Sequence, residues 1–294
     1  MAIRQITIIG VGLIGGSFAL ALKKHGFAGR IIGCDRAPVL ERARNKAAID
    51  IGHTNPADAV RGSQIIVLAT PVSGIIDLID RFGPALPPKT LLTDVGSTKA
   101  EVLHRAKTVF GKNSGVRFLA GHPMAGKEHA GLEFADPDLF QGAAWFVTPV
   151  PGQRVYDGLS GEYLEWVEKI GARIASMDAR EHDELCAWIS HLPQLISTAL
   201  AAALVDEYGE DAPLLEAGGR ALREMTRTSS SPYSMWRDVA LTNKTNIRTA
   251  LVKLEQHLAY IRENLDTREL ALEFERAHQL KKIAVTKGKR ASSS

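Results

Sequence analysis

Short apolar runs alternate with helix-like segments over residues 1–178. The runs are apolar throughout and do not alternate with polar residues, which is typical of strands that are buried on both faces of a sheet. Their alternation with helices predicts a doubly wound parallel sheet with crossover helices, the core of an α/β domain. The predicted strands are Gln5–Ile9, Arg30–Cys34, Ile65–Ala69, Leu91–Asp94, Arg117–Ala120, Ala144–Val147 and Arg173–Ser176.

The strand pattern stops after residue 178, and helical periodicity predicts an all-α domain over residues 179–283. Glu181–Leu204 is predicted to form one long apolar helix that bends near Pro193, because an interior proline removes a hydrogen bond and clashes with the preceding turn. Further on, apolar residues recur at spacings of 4, 3, 4, 3 and 4, which is the seam of a helix that packs along another helix. That seam consists of Ile247, Leu251, Leu254, Leu258, Ile261 and Leu265. A core helix within one subunit remains an alternative, but we favour a homodimer that forms through this domain.

Composition narrows the class of protein without identifying it. The net charge of +3 over 294 residues gives no reason to expect a nucleic acid partner. The two cysteines, Cys34 and Cys186, are predicted to be reduced and buried. The longest apolar run, Leu195–Val205, is shorter than the roughly 20 residues that span a bilayer. We therefore expect a cytoplasmic protein without a membrane segment, and a disordered basic tail over residues 284–294.

A glycine motif follows the first predicted strand directly and begins a helix. Gly10 allows the tight turn, Gly12 lets the backbone approach a pyrophosphate, and Gly15 lets helix and strand pack closely. The backbone N–H groups of Leu13 and Ile14 would face the phosphates at the positive end of the helix dipole. The motif predicts that the α/β domain is Rossmann-like and binds a dinucleotide.

The second predicted strand is followed by Asp35, which lies 20 residues beyond Gly15. An acidic side chain at this spacing accepts hydrogen bonds from the adenosine ribose and therefore favours NAD over NADP. Arg36 could pair with a 2′-phosphate, so NADP stays as the less favoured cofactor, and a helix N-cap is the structural alternative for Asp35. Thr70 and Pro71 follow another predicted strand, at the edge of the sheet where ligands bind.

Four further segments make the chain resemble the prephenate dehydrogenase family over roughly residues 5–275. They occur in family order and are Thr93–Ser97, Gly121–Glu128, Ser190–Pro193 and Met235–Asp238. The resemblance implies oxidative decarboxylation of prephenate to 4-hydroxyphenylpyruvate, with hydride transfer to NAD, in tyrosine biosynthesis. Arogenate dehydrogenase, which gives tyrosine directly with NAD or NADP, remains the alternative.

The resemblance also implies roles for three residues of the chemical site. His122, predicted to lie in a loop after a strand and to be fixed by Pro123, matches the family's catalytic histidine. An imidazole suits the acceptance of a hydroxyl proton near neutral pH, so activity should fall between pH 8 and 5 as His122 becomes protonated. Ser97 matches the serine that shares this hydroxyl and orients substrate against the nicotinamide, although it could also cap a helix. His191 matches a histidine that reaches the cleft, with a structural core histidine as the alternative.

Cationic groups must meet the anionic substrate. Arg237 matches the family's carboxylate-binding arginine, and an ion pair with Asp238 is its structural alternative. Arg227 is a second, weaker candidate. Lys127, where many family members carry threonine, would favour the pyruvyl carboxylate of prephenate, whereas Glu128 would meet the amino group of arogenate. We favour prephenate.

No metal is expected to take part, because hydride transfer requires none and the pairs His122–His129 and Asp178–His182 match no established metal-site spacing. With no extra helical segment before the first strand, the enzyme should be monofunctional. The competing interpretations are a 3-hydroxyacid dehydrogenase, an imino-acid reductase, or a nicotinamide sensor without turnover. The first two share the glycine motif but lack the set of His122, His191 and Arg237.

Overall fold

The computed structural model describes residues 3–111, 115–209 and 217–291, with side chains described as far as residue 280. The chain forms two compact units, Met1–Asn246 and Ile247–Ser294. The first unit extends well beyond residue 178, where the sequence predicts a domain boundary. One reason is that Asp183, in the helix after the sheet, accepts hydrogen bonds from the backbone N–H groups of Lys99 and Ala100.

Eight strands form one sheet in the order β3-β2-β1-β4-β5-β6-β7-β8. The strands are β1 (Gln5–Ile9), β2 (Arg30–Cys34), β3 (Ile51–His53), β4 (Ile65–Leu68), β5 (Leu91–Asp94), β6 (Arg117–Pro123), β7 (Ala144–Thr148) and β8 (Arg173–Ser176). The order of the first six strands and their parallel pairing confirm the doubly wound Rossmann-like domain. β3 was not among the predicted strands, because its three residues, Ile-Gly-His, form no apolar run.

One strand pair departs from the expected parallel arrangement, and it corrects the placement of His122. The first half of β6 pairs in parallel with β5, whereas Ala120–Pro123 pairs with β7 in antiparallel fashion. His122 lies opposite Phe146 in this pairing. The catalytic candidate is therefore part of a strand and not of a loop, because the antiparallel partner extends β6 beyond the end of β5.

Helices cover both faces of the sheet in the first unit. The helices described in this unit are α1 (Leu13–Lys24), α2 (Ala37–Asn45), α3 (Pro56–Ala59), α4 (Val72–Phe82), α5 (Ala100–Phe110), α6 (Leu159–Lys169) and α7 (Ala179–Cys186), followed by α8 (Leu192–Tyr208), α9 (Gly219–Thr226) and α10 (Tyr233–Thr242), which pack mainly on other helices. Two buried apolar clusters, one on each side of the sheet, form the core, and β1 and β4 contribute to both. This two-sided burial explains why the strands are apolar at every position.

The long helix predicted after the sheet is present but is interrupted. Five π-helical residues, Ala187–His191, separate α7 from α8. Pro193 lies in the first turn of α8, where a missing N–H group has little effect. The irregularity expected near the proline is therefore a π turn immediately before it. Taken as one helix, Ala179–Tyr208 is long and apolar enough to cross a membrane by length and composition alone.

The last two helices are α11 (Lys244–Glu263), which begins at the end of the first unit, and α12 (Arg268–Ala291). Of the apolar seam predicted for this region, Ile247 is buried and Leu258 is 56% exposed, whereas Leu265 lies beyond the end of α11 and is 64% exposed. α12 includes residues 284–291, most of the segment that was expected to be a disordered tail. Lysine, arginine and alanine are good helix formers, so a polar segment that follows a helix can continue it.

Candidate active site

The glycine loop after β1 leaves open space at the start of α1. Gly10 has a positive φ of 96°, and a Cβ there would lie 2.5 Å from the carbonyl oxygen of Ala69. A Cβ on Gly15 would lie 2.0 Å from the carbonyl oxygen of Gly10, so this position also requires glycine. A Cβ on Gly12 would meet nothing within 4 Å. The loop therefore combines tight internal packing with an open side at the helix N-terminus, beside Leu13 and Ile14, which suits a pyrophosphate.

Asp35 follows β2 beside this opening. Its two carboxylate oxygens accept hydrogen bonds from the backbone N–H groups of Val11, at 2.8 Å, and Arg36, at 2.7 Å. These contacts fix the carboxylate and leave each oxygen a further lone pair for a ribose hydroxyl. Arg36 itself is exposed. The cofactor residues that the sequence predicts after β1 and β2 thus lie together at one edge of the sheet.

The loop after β4 adds a polar group with an unmet hydrogen-bonding capacity. The Thr70 hydroxyl is buried and has no hydrogen-bond partner within the part of the chain that the structure describes. Pro71 is the N-cap residue of α4. A buried polar atom without a partner is uncommon, and a ligand group is one way to satisfy it. This loop therefore fits a bound dinucleotide.

The chemical site is built on a chain of three side chains from β6 and α7. The Nδ1 atom of His122 lies 2.9 Å from Nε2 of His182. The Nδ1 atom of His182 lies 2.8 Å from a carboxylate oxygen of Asp183. All three are buried, with exposures of 7%, 0% and 2%. Asp183, His182 and His122 thus form a continuous hydrogen-bonded chain.

The chain defines which nitrogen of each imidazole carries a proton. A carboxylate only accepts, so His182 donates from Nδ1 and its Nε2 must accept. His122 then donates from Nδ1, which leaves the lone pair on its Nε2 for another partner. The geometry therefore holds His122 in the tautomer that can accept a proton at Nε2.

Asp183 also fixes the start of α5. Besides its bond to His182, its carboxylate accepts hydrogen bonds from the N–H groups of Lys99, at 2.7 Å, and Ala100, at 2.9 Å. A side chain from a distant helix thus satisfies the first amides of α5. Ser97 is therefore not the cap of this helix; it lies half-buried in the loop between β5 and α5.

The loop that carries Ser97 is fixed by a buried ion pair. Lys99 and Asp94, both fully buried, are in direct contact. Asp94 also accepts hydrogen bonds from the backbone N–H groups of Gly96 and Gly121, at 2.9 and 3.2 Å. Asp94 consequently joins the loop after β5 to the strand that carries His122.

Burial changes the acid–base properties of His122. Desolvation is the main cause that lowers its pKa well below the ordinary value, and the charges of His182, Lys99 and His191 lower it further. His122 is therefore neutral and able to accept a proton at pH values well below neutrality. The decline in activity that an ordinary histidine pKa predicts between pH 8 and 5 moves to more acidic pH.

His191, at the end of the π turn, belongs to the same buried region. Its Nδ1 lies 3.2 Å from the side-chain amide nitrogen of Asn243, which also donates to the backbone oxygen of Asp183 at 2.7 Å. Since Nδ1 accepts, Nε2 carries the proton, and this buried N–H has no partner within the described residues. Burial lowers the pKa of His191 to about 4. Trp236 packs edge-on against this imidazole, and its buried indole N–H also lacks a partner among the described residues.

Cys186 lies one helical turn after His182 on the same face of α7. Its sulfur is 3.4 Å from Nε2 of His182 and 3.9 Å from Nδ1 of His122. Burial, with a smaller contribution from the charge of Asp183, raises the pKa of this thiol to about 12. As the sequence predicts, Cys186 is a free, buried thiol, and it lies directly beside the histidine pair.

The candidate substrate arginine is held in an ion pair. Arg237 lies 3.1 Å from the carboxylate of Asp238, and its side chain remains 53% exposed. Asp238 is 2% exposed and also accepts hydrogen bonds from Ser73, in the first turn of α4. Burial raises the pKa of Asp238, but the Ser73 bonds and the Arg237 charge outweigh it and lower the pKa overall. Asp238 therefore anchors α10 to α4 and leaves the guanidinium accessible.

The two charged residues after the glycine at position 126 have partners of their own. Lys127 lies 3.0 Å from the carboxylate of Asp136. Glu128 forms an ion pair with Arg227, whose side chain is 61% exposed. The structure therefore gives Glu128 a positively charged neighbour that the sequence did not reveal.

Four residues of the site, His182, Asp183, Lys99 and Asn243, were not predicted from the sequence. Their roles depend on how α7 and α10 dock against the sheet, which local periodicity does not report. A histidine next to an aspartate on the inner face of α7 was the available signal, and so was a lysine within a glycine-rich loop.

Comparison with known proteins agrees with this architecture. Residues 18–175 match the family model "Prephenate dehydrogenase, nucleotide-binding domain", and residues 178–278 match "Prephenate dehydrogenase, dimerization domain". A prephenate dehydrogenase of Lactococcus lactis is 33% identical over 273 residues, which cover 90% of this chain and 72% of the relative. A cyclohexadienyl dehydrogenase of Zymomonas mobilis is 30% identical over 249 residues, covering 82% and 81% of the two chains.

A solved structure extends the similarity to the whole fold. Prephenate dehydrogenase from Aquifex aeolicus, in complex with hydroxyphenyl propionate and NAD+, superposes with a TM-score of 0.82 at 28% identity. The match covers 98% of this chain and 99% of that one. Together with the two family models, these similarities confirm the resemblance that the sequence motifs indicated. The chain belongs to the prephenate dehydrogenase family of oxidoreductases.

Proposed function

We propose that the protein catalyses the oxidative decarboxylation of prephenate to 4-hydroxyphenylpyruvate with NAD as hydride acceptor. The observation that carries this proposal is the hydrogen-bonded chain of Asp183, His182 and His122, which holds a neutral imidazole with its Nε2 lone pair available. This chain lies at the same edge of the sheet as the nucleotide loops, where ligands bind in this fold.

His122 has a definite task in the reaction. Bound NAD supplies the carbon that receives the hydride. As hydride leaves the ring carbon that bears the hydroxyl, the oxygen becomes carbonyl-like and its proton becomes more acidic. Nε2 of His122 accepts that proton, and the hydrogen bonds of His182 and Asp183 hold the imidazole in the tautomer and orientation that make this possible. Loss of carbon dioxide returns electrons to the ring, and His122 gives the proton back to the phenol oxygen. Ser97 shares the hydroxyl contact.

Hydrogen-bond donors around this centre are available to bind the carboxylate groups of the substrate. The accessible guanidinium of Arg237 suits bidentate pairing with a carboxylate, and the unpartnered Nε2–H of His191 is a second donor. We propose that Lys127, which is paired with Asp136 at 3.0 Å but remains 36% exposed, exchanges this weak ion pair for one with the pyruvyl carboxylate. The ion pair with Arg227 neutralises Glu128, which makes Glu128 a poor acceptor for an amino group and favours prephenate over arogenate.

Cofactor preference follows from Asp35. Its fixed carboxylate suits the two hydroxyls of the adenosine ribose and repels a 2′-phosphate, so we propose NAD rather than NADP. The exposed guanidinium of Arg36 is the group that would allow residual use of NADP.

We further propose that the chain functions as a homodimer through its helical region. Large apolar side chains are exposed on α8, on α11 and just after α11, where a single chain leaves them uncovered: Val205, Tyr208, Leu258 and Leu265. The family model that matches residues 178–278 is described as a dimerization domain. A second copy would cover the apolar surface of α8, and this also accounts for the membrane-like composition of that helix. The helix Ala179–Tyr208 begins with His182 and Asp183 in the chemical site, which a membrane span would not permit.

Analytical ultracentrifugation tests the proposed homodimer, and a monomer at micromolar concentration contradicts it.

A direct assay tests the reaction. Purified protein is mixed with prephenate or arogenate, each with NAD and separately with NADP, and reduced nicotinamide is followed by absorbance. We expect turnover with prephenate and NAD. Turnover with arogenate alone would move the specificity argument to Glu128. A folded protein that binds NAD but is inactive in all four mixtures would contradict the proposed function.

A further inference from the structure

Three potential metal ligands meet at the buried histidine pair. They are Nδ1 of His122, Nε2 of His182 and the sulfur of Cys186, and all lie within 4.8 Å of one another. The first comes from β6, and the other two come from consecutive turns of α7 in a His-x-x-x-Cys arrangement. Sequence spacing could not predict this cluster, because His122 is 60 residues away from His182.

The three separations match one face of a coordination tetrahedron. The observed distances are 2.9 Å between the two nitrogens, and 3.4 and 3.9 Å from the sulfur to His182 and His122. Tetrahedral zinc, with Zn–N near 2.0 Å and Zn–S near 2.3 Å, requires about 3.3 Å between nitrogens and about 3.6 Å between nitrogen and sulfur. Shifts of less than about half an ångström in each pair would therefore form the site.

The surroundings of the cluster also suit a metal ion. The other nitrogen of His182 donates to Asp183, and this carboxylate–histidine contact is the arrangement that orients imidazoles toward zinc in proteins. Asp183 is itself held by the backbone of Lys99 and Ala100. The buried ammonium of Lys99, whose charge acts on His122, is neutralised by Asp94. The ligands thus lie on regular secondary structure with a supporting hydrogen-bond network.

We propose that His122, His182 and Cys186 form a binding site for a thiophilic divalent cation of the zinc class, and that its occupation inhibits the enzyme. Metal binding replaces the His122–His182 hydrogen bond. The proton on Nδ1 of His122 moves to Nε2, and the Cys186 thiol releases its proton to solvent. The metal then binds Nδ1 of His122, Nε2 of His182 and the Cys186 thiolate. The remaining coordination position is available to water.

Inhibition follows from the change of tautomer. With metal on Nδ1, Nε2 of His122 carries a proton and can no longer accept one from the substrate hydroxyl. This consequence rests on the proposed catalytic role of His122, whereas metal binding itself does not. The two are therefore tested by separate readouts.

The binding experiment uses Co²⁺ as a spectroscopic substitute for Zn²⁺. The full-length protein is reduced with a phosphine and titrated with Co²⁺ while the near-ultraviolet cobalt–thiolate band is recorded. We expect one equivalent to produce the band in wild type and in C34A, the matched control, because Cys34 is also buried but lies at the end of β2. C186A and C186S should lack the band. No band in wild type, or an equal band in C186A, overturns the proposal.

The inhibition experiment measures turnover of prephenate at increasing free Zn²⁺. Zn²⁺ should inhibit wild type and C34A reversibly, with recovery on addition of a chelator. C186A should keep its basal activity and require at least about tenfold more Zn²⁺, because loss of a ligand costs more than the 10–100-fold that loss of an outer contact costs. Equal Zn²⁺ sensitivity in C186A, or a cobalt band in an active enzyme that Zn²⁺ does not inhibit, overturns the inhibitory mechanism. If no substrate turns over, the proposed function fails, and the cobalt band still decides the metal site.

Discussion

The role of His182 as a positioning residue gives the sharpest prediction. In the structure, Nε2 of His182 lies 2.9 Å from Nδ1 of His122 and accepts its hydrogen bond. Replacing His182 with leucine, of similar bulk, removes this acceptor. The Nδ1–H tautomer, which leaves Nε2 free to accept a proton, would then have an unsatisfied buried donor. Such a loss costs about 1–3 kcal/mol. Since about 1.4 kcal/mol corresponds to tenfold in rate, kcat should fall by roughly 5- to 150-fold.

Steady-state kinetics with prephenate and NAD across pH provide the assay. The KM for NAD should be unchanged, because no cofactor contact is altered. His182 is one of the charges that lower the pKa of His122, so the acid limb of kcat/KM should move toward neutral pH in H182L. H182Q, whose amide oxygen can accept the Nδ1–H bond, should recover part of the lost kcat. H104Q, at an exposed position of α5, is the control.

A purely structural role for His182 would lower the melting temperature without moving the pH profile. The proposed chain of hydrogen bonds is wrong if H182L keeps the wild-type kcat and an unshifted acid limb. Equal losses in H182L and H182Q would also contradict it, because the glutamine variant retains an acceptor and the leucine variant does not.

Four further predictions concern the remaining site. D35S should lower kcat/KM for NAD by roughly 10- to 100-fold, the cost of bonds to a charged group, and reduce discrimination against NADP; an unchanged NAD/NADP ratio contradicts the assignment of Asp35. K127M should raise the KM for prephenate more than for arogenate, and equal effects on both substrates would refute a specificity role for Lys127. The kcat/KM of wild type should stay constant from pH 8 to 6 and decline only at more acidic pH, because burial lowers the pKa of His122; a midpoint near pH 6.5 would show an ordinary, solvated histidine. His191 binds its proton more weakly when folded, with a pKa of about 4, so its contribution to stability is complete above about pH 6.5 and is lost as pH falls toward 4. Calorimetric unfolding of wild type and H191N should show a smaller loss of melting temperature for the variant over this range.

The fold was largely predictable because the apolar strands carry a strong local signal. Seven of the eight strands fall where continuous aliphatic runs occur, and the short β3 lacks such a run. The antiparallel pairing of β6 with β7 could not be predicted, since strand direction depends on the path of the connecting segment 124–143 and not on strand composition. That pairing determines where His122 lies.

The candidate site was predictable only where a residue carries its own motif. Gly10, Asp35 and His122 were found because their neighbours in the sequence define their setting. His182 and Asp183 acquire their roles from contacts with β6 and α5, far away in the sequence. Such long-range partners follow from docking, which neither periodicity nor composition encodes.

The π turn between α7 and α8 determines which residues can meet in the cleft. His191 follows His182 by nine positions, and an α-helix advances about 100° per residue, so an uninterrupted helix would place the two on opposite sides. A π turn accommodates one extra residue. The rotation from His182 to His191 is then that of about eight residues, roughly 80° beyond two full turns. The two histidines therefore lie on adjacent sides of the helix, where the Asn243 amide contacts His191 and the backbone oxygen of Asp183. A one-residue deletion within Ala187–Ser190 would therefore leave a regular helix in which His191 follows His182 by eight residues, again about 80° apart, so His191 would stay on the side of the Asp183–His182–His122 chain. The π turn thus lets the chain carry one residue more than a regular helix between His182 and His191 and still keep both histidines on adjacent sides.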